Sequence, residues 1–286
     1  MNPPDNRLVP GATSQFNNME IRIHGLQRSG NHAVMNWIAA QTTGTCVVLN
    51  DCEPRTNPSD TMQEYCEYSD GSLVSLSYSW DCVSRERVVT RMPRQRNVLI
   101  YSYEDKELTG DRVSESWIGS SGSQFDILIV RDALNFFASR LQMWDKLTGL
   151  KDKDLVIELW KKYAREALGL TSVLDPSRKV VIKFGHWKDD AECRREITSK
   201  LGIAFSDRGI DSVPRIGPGS SFDSFNYENR ASEMAVNQRW RSFVGDNHYR
   251  SILADSELQE LSIGLFGQNA DWEEMKRTGG NDKDFR

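Results

Sequence analysis

Ile21-Arg22-Ile23-His24-Gly25, then Leu26-Gln27-Arg28-Ser29-Gly30-Asn31, then His32-Ala33-Val34-Met35-Asn36-Trp37-Ile38-Ala39-Ala40, decides the architecture. The first run reads as a short strand and the second as a loop. The third has apolar residues at Val34, Met35, Trp37 and Ile38, as a helix with one buried face requires. Gly44 would stop that helix, and Cys46-Val47-Val48-Leu49 is a second strand. Strand, loop, helix, strand is the unit from which parallel sheets are built. A loop in this position points backbone N–H groups at one spot, and the helix N-terminus adds partial positive charge there. An anion belongs at that spot.

Working outward, Asn97–Tyr103 reads as a strand ending in Glu104-Asp105, and Leu73–Tyr78 as a strand at an edge. Phe125–Val130 is a continuous apolar run, as expected of a parallel strand buried on both faces, and Arg131 follows it. Leu134–Trp144 reads as a helix. Asp154 is placed to cap a longer one to about Leu170, with Leu155, Leu159, Tyr163 and Ala167 on one face. Lys179–Phe184 is a further strand, Glu192–Leu201 a helix stopped by Gly202, and Ala231–Gly245 and His248–Phe266 two last helices. Residues 51–70 and 110–124 are polar and read as irregular insertions. The expectation is α/β: a three-layer α/β/α domain over residues 20–270, with a mainly parallel central sheet. Residues 1–19 would be a flexible tail and 271–286 a polar C-terminal tail.

Composition sets bounds on function. The 286 residues are 38% hydrophobic and 27% charged, which is globular, and the formal net charge is −5. That balance disfavours a nucleic-acid binder, which needs a basic face. Five cysteines, Cys46, Cys52, Cys66, Cys82 and Cys193, show no zinc-ribbon spacing and read as free thiols of a reducing compartment. Residues 1–18 lack the apolar core of a secretory signal, and no run reaches transmembrane length, so a cytoplasmic protein is expected.

Gly25 and Gly30 are spaced as in a Walker A loop, but Asn31 and His32 stand where Lys and Ser/Thr should follow. The Lys that reaches the outer phosphates and the hydroxyl that holds Mg²⁺ are both missing. The positive charge sits inside the loop instead, on Arg28.

Here the chain resembles the sulfotransferases that use 3′-phosphoadenosine 5′-phosphosulfate (PAPS). Their first loop reads Lys/Arg-Ser/Thr-Gly-Thr-Thr. Arg28-Ser29-Gly30 matches its first half, while Asn31 and His32 replace the two threonines. The family also places an Arg at the end of a buried strand and a Ser eight residues later on the next helix, as Arg131 and Ser139 stand here. The resemblance implies a P-loop-like sulfotransferase fold. Arg28, Ser29, Gly30, Asn31 and His32 would hold the 5′ end of PAPS, and Arg131 and Ser139 the 3′-phosphate. The products would be 3′,5′-adenosine bisphosphate (PAP) and a sulfated acceptor hydroxyl.

Arg28 would stabilise charge on the leaving phosphate, and no metal is required. The resemblance puts the base just after the strand before the one that ends in Arg131, here Asn97–Tyr103, which makes Glu104 the first choice and Asp51, Glu53 and Asp105 its rivals. A carboxylate base needs burial to lift its pKa towards neutrality. By analogy it suits carbohydrate or protein acceptors better than small phenols. Trp80, Trp117 and Trp144 are candidate sugar-stacking residues, though Trp is more often core, as Trp37 should be. Gly217-Pro218-Gly219-Ser220-Ser221-Phe222 is a candidate cover for the nucleotide or a plain solvent loop, and Arg239 and Arg241 are candidate cleft residues. Two other readings stay open: a P-loop kinase or NTPase, which would need Mg²⁺, and a non-catalytic nucleotide-binding protein on the same fold. Arg131 with Asp132 could also be a surface ion pair and nothing more.

Overall fold

The computed structural model describes residues 15–78, 82–147, 153–213, 222–223, 226–268 and 270–278. Among these, the strands are β1 (Phe16–Gly25), β2 (Thr45–Asn50), β3 (Glu64–Ser69), β4 (Ser72–Tyr78), β5 (Gln95–Glu104), β6 (Ser120–Val130) and β7 (Lys179–Lys183). The helices are α1 (Asn31–Gln41), α2 (Pro58–Thr61), α3 (Cys82–Arg91), α4 (Glu115–Ile118), α5 (Ala133–Leu147) and α6 (Lys153–Ala167). Further on come α7 (Phe184–Asp189), α8 (Ala191–Leu201), α9 (Asn247–Leu253), α10 (Ser256–Phe266) and α11 (Ala270–Thr278).

The strands form one sheet in the order β4-β3-β2-β5-β1-β6-β7. β2, β5, β1, β6 and β7 run parallel, and β3 and β4 are antiparallel at one side. Strand alternation sorts the core into two faces. Ile21, Ile23, Ile127 and Ile129 pack with Trp37, Ile38, Trp187 and Ile197 of α1, α7 and α8. Leu128 and Val130 pack on the other face against Phe136, Phe137, Trp160, Tyr249 and Leu258, from α5, α6, α9 and α10. Val47, Leu49, Leu99 and Tyr101 continue that second face with Met62, Val113 and Ile118. The expected three-layer α/β/α architecture with a mainly parallel sheet is what the chain adopts. Trp37 is fully buried, in the core as expected.

The second face also buries charge. Arg22 Nε lies 2.6 Å from Asp126, Arg112 Nη2 2.8 Å from the same carboxylate, and Tyr101 donates to Glu20. Burial of His24 among these groups drives its pKa down, the Asp126 contact only partly opposing it, with Arg22 and Arg112 pushing the same way as burial.

Several sequence expectations change. The polar stretch 51–70 holds α2 and β3, because Tyr65, Cys66 and Tyr68 turn into the sheet and only the intervening positions are polar. Segment 110–124 holds α4, capped by Ser114, and the start of β6. β1 begins at Phe16, inside the expected N-terminal tail, and α11 runs past the expected start of the C-terminal one. The buried stripe of α6 is Val156, Leu159, Trp160, Tyr163 and Ala164, and Leu155 is 55% exposed. Residues 231–245 form 3₁₀ turns at Ala231–Glu233 and Val236–Phe243 in place of an α-helix. The expected helix 248–266 is split where Asp255 caps α10 by accepting from the Leu258 amide.

Candidate functional site

The parallel strands end along one sheet edge, and the residues that follow β1, β2, β5, β6 and β7 all gather there. Gly25 is in register with Glu104 on one side and Ile129 on the other. The loop after β1 is a tight turn, closed by the Ser29 amide donating to the Leu26 carbonyl. Two glycines leave room for their neighbours here. A Cβ on Gly25 would lie 1.9 Å from Asn31 Oδ1, and one on Gly30 2.1 Å from the Phe184 ring. Gly30 also has φ +101°, and Arg28 itself sits in the left-handed region at φ +75°. No side chain caps the N-terminus of α1, so its leading amides stay available to an anion.

Arg131 stands beside this loop at the end of β6, only 2% exposed. Its Nη1 donates to the Arg28 carbonyl and to Ser139 Oγ, both at 3.0 Å, and its Nη2 donates to the Val236 carbonyl. Its Nε is buried without a partner, and no carboxylate lies within ion-pair distance of its guanidinium among the described residues. Burial, then the neighbouring Arg239 and Arg28, pulls its pKa down to about 9. Arg28 is pulled to about 10 by burial, Arg239 and Arg140, with Glu104 opposing. So the sequence pair Arg131 and Ser139 is in direct contact and joined to the Arg28 loop. Cations held this way are complementary to a bound anion.

Of the two arginines in the Arg239-Trp240-Arg241 segment, Arg239 belongs to this cluster, 3.0 Å from Asp223 and stacked on Phe222. Arg241 turns away to Glu274 and Asp271 and is 45% exposed. Residues 217–221 and Trp80 lie outside the described residues, as does the side chain of Trp144. Trp117 is exposed on α4.

The candidate base carboxylates separate by environment. Glu104, at the end of β5, is 8% exposed. Its Oε1 accepts from Asn31 Nδ2 at 3.1 Å and lies 3.2 Å from His32 Nε2. Burial alone would raise the Glu104 pKa, but His32, Asn31 and Arg140 together hold it below the ordinary value. The same pairing carries His32 above its ordinary value against the pull of burial, with Glu64 helping and Arg28 opposing. Glu104 therefore lacks the raised pKa that a carboxylate base needs. Asp51, at the end of β2 with φ +52°, is the carboxylate that burial does lift, to about 6, with Glu104 adding repulsion. Asp105 is spent on the loop: it accepts from the Gln27 amide at 2.9 Å and pairs with Arg140 at 2.8 Å. Glu53 is 54% exposed and pairs with Lys106.

Behind these groups, Asn50 donates to Glu64 at 2.9 Å and accepts from Ser102 Oγ, which in turn accepts from the Asp51 amide. Arg140, Phe184, Asn50 and Glu64 were not foreseen. Arg140 had a signal in adjoining Ser139, but the others depend on strand register. Among the described residues no group of His, Cys, Asp and Glu is placed to hold a metal, and no helix is long and apolar enough to cross a membrane. Cys46, Cys52 and Cys66 are buried free thiols, and Cys193 is free and part-buried.

No family model and no curated protein matches the chain. Solved structures do. The sulfotransferase domain of the Synechococcus PCC 7002 olefin synthase is 14% identical over 87% of this chain and 94% of that one, with a TM-score of 0.49. A mouse sulfotransferase, SULT7A1, complexed with PAP, is 13% identical over 92% and 90%, with a TM-score of 0.42. The sulfotransferase domain of the curacin biosynthetic pathway is 13% identical over 86% and 96%, with a TM-score of 0.43.

Proposed function

We propose that this chain is a sulfotransferase that moves a sulfuryl group from PAPS to an acceptor hydroxyl. The observation that carries the reading is Arg131: a buried guanidinium with no carboxylate at ion-pair distance among the described residues, bonded to Ser139 and to the backbone of a glycine-bounded loop at a helix N-terminus. Two anion subsites therefore adjoin, which suits a nucleotide phosphorylated at both ends of its ribose. Arg131 and Ser139 hold the 3′-phosphate. Arg28, Ser29, Gly30 and the amides of Asn31 and His32 hold the 5′-phosphosulfate. In a buried setting, fixed donors of this kind stabilise charge developing on the leaving phosphate with little reorganisation.

The kinase or NTPase reading fits less well. The Asn31 side chain is committed to Glu104 and the Leu26 carbonyl, and His32 Nε2 faces Glu104. Neither supplies the hydroxyl or the ammonium that Mg²⁺-nucleotide chemistry uses at these two positions. The acceptor side is lined by Asn50, Asp51, Glu53 and Glu64. Hydrogen-bonding groups of this kind suit a polyhydroxyl acceptor such as a carbohydrate better than an apolar phenol. The buried thiols support a reducing, cytoplasmic setting.

The test is transfer from ³⁵S-labelled PAPS, without metal, to p-nitrophenyl β-D-glucopyranoside and to p-nitrophenol as contrasting acceptors. Labelled glucoside with PAP as co-product supports the reading. Transfer to the phenol alone removes the carbohydrate acceptor. PAPS left intact with both, and with water, removes the sulfotransferase.

A further inference from the structure

Asn50, at the end of β2, is 4% exposed, and both polar atoms of its amide are engaged. Ser102 Oγ accepts from the Asp51 amide at 3.0 Å, so its own hydrogen goes to Asn50 Oδ1 at 2.6 Å. That fixes which way the Asn50 amide faces: turned over, it would set its oxygen against the Glu64 carboxylate. The amide nitrogen carries two hydrogens. One goes to Glu64 Oε2 at 2.9 Å and the other to His32 Nε2 at 3.1 Å. A ring nitrogen that accepts carries the lone pair, so the neutral His32 ring has its hydrogen on Nδ1. Nδ1 lies on the open edge of a side chain that is 28% exposed, and no protein group partners it among the described residues.

Glu104 Oε1, 3.2 Å from Nε2, acts on the charge of the ring and not on this hydrogen. Burial and Arg28, from the loop after β1, oppose a second proton on the ring. Glu104 from β5 and Glu64 from β3 draw it there and carry the pKa above the ordinary imidazole value. Nε2 is the place left for that proton, so Nδ1–H is present in both charge states.

We infer that Asn50 is a positioning residue: it holds the His32 ring with hydrogen on Nδ1 and so makes the side chain a standing donor to the 5′-phosphosulfate. The donor role rests on the sulfuryl-transfer reading above. His32 belongs to the first turn of α1, with the uncapped amides, and Arg28 is close enough to act on the ring's charge. An anion held by the loop meets Nδ1–H. An unconstrained neutral histidine in water favours hydrogen on Nε2, and that tautomer would turn a lone pair towards the anion. Charge developing on the leaving phosphate is then met by a fixed donor at every pH.

Two measurements test this. ¹⁵N NMR of histidine-labelled full-length protein reads the tautomer without substitution, the His32 signals being assigned by their loss in His32→Gln. Above its own midpoint the wild-type ring should carry hydrogen on Nδ1, and PAP should leave it there. Hydrogen on Nε2 of the neutral ring overturns the inference. So does a ring that stays charged until the protein unfolds, since Asn50 then has no neutral ring to set.

The second is calorimetric titration of Asn50→Leu with PAP, compared with wild type at the same pH so that the ionisation of PAP itself cancels. Well above the His32 midpoint the variant should bind about 3–10-fold more weakly. Well below it, where the charged ring carries both hydrogens, the two should agree within about twofold. An equal loss at both pH values makes Asn50 a structural residue only and overturns the inference. A variant that does not fold leaves the wild-type tautomer to decide. A wild type that shows the Nδ1 tautomer and does not bind PAP fails the sulfuryl-transfer reading, and the donor role with it, while the hold of Asn50 on the ring stands.

Discussion

Replacing Arg131 with methionine should remove nucleotide binding without a comparable loss of fold stability. The guanidinium is nearly fully buried, and burial with Arg239 and Arg28 nearby lowers its pKa well below the ordinary arginine value, to about 9. Taken as free energy, holding that charge costs the empty protein on the order of 4 kcal/mol. Methionine relieves this but gives up the hydrogen bonds to the Arg28 carbonyl, Ser139 Oγ and the Val236 carbonyl. At roughly 1.5 kcal/mol for each bond from a charged donor, the two effects nearly cancel. The ligand-free variant should unfold within about 2 kcal/mol of wild type, at about the same urea midpoint. The ligand response should differ sharply. Saturation at a hundred times Kd stabilises by about 2.7 kcal/mol, a rise in Tm of roughly 4–5 °C for a chain of this size. Differential scanning fluorimetry with PAP should show that rise in wild type and none in Arg131→Met. A variant that keeps the rise, or one whose ligand-free fold loses more than about 4 kcal/mol, refutes the reasoning that Arg131 is held for an anion.

Gly30→Ala should cost about 2–4 kcal/mol in urea unfolding, because a left-handed backbone and the Phe184 ring both oppose a Cβ. Glu166→Gln should cost about 3 kcal/mol, since this fully buried carboxylate accepts from Thr171, the Val173 and Leu174 amides and Lys179. His24 supplies a pH dependence. Its folded pKa lies below its unfolded one, so below the ordinary imidazole value the unfolded state binds the extra proton. Stability should therefore fall as pH drops below about 6.5, by up to roughly 1.4 kcal/mol per pH unit from this group. In His24→Phe, urea midpoints measured from pH 7.5 to 5 should lose that component.

Much of the sheet and part of the candidate site were legible in the sequence. The strand-loop-helix opening and the spacing of Arg131 to Ser139 are local signals, and the 3.0 Å contact between those two side chains follows from one strand end feeding one helix. What was not legible depends on register. His32 and Glu104 meet because Gly25 pairs with Glu104 across β1 and β5, which no spacing along the chain encodes. The pKa directions of Glu104 and Asp51 were hidden for the same reason: a histidine beside one carboxylate and burial of the other fix which is held low and which is lifted. β3 was hidden because its outward positions are Glu and Ser, so a short edge-side strand looked like a polar insertion. The split between α9 and α10 turned on one capping carboxylate inside an otherwise continuous helical pattern.

The central claim is that Arg131, Ser139 and the Arg28 loop form one nucleotide site. Calorimetric titration of metal-free protein with PAP tests it most directly, on wild type and Arg131→Ala. Micromolar or tighter binding, about −8 kcal/mol, is expected, weakened at least roughly tenfold (about 1.4 kcal/mol) by the substitution. No heat with PAP, and binding of Mg²⁺-ATP in its place, would contradict it.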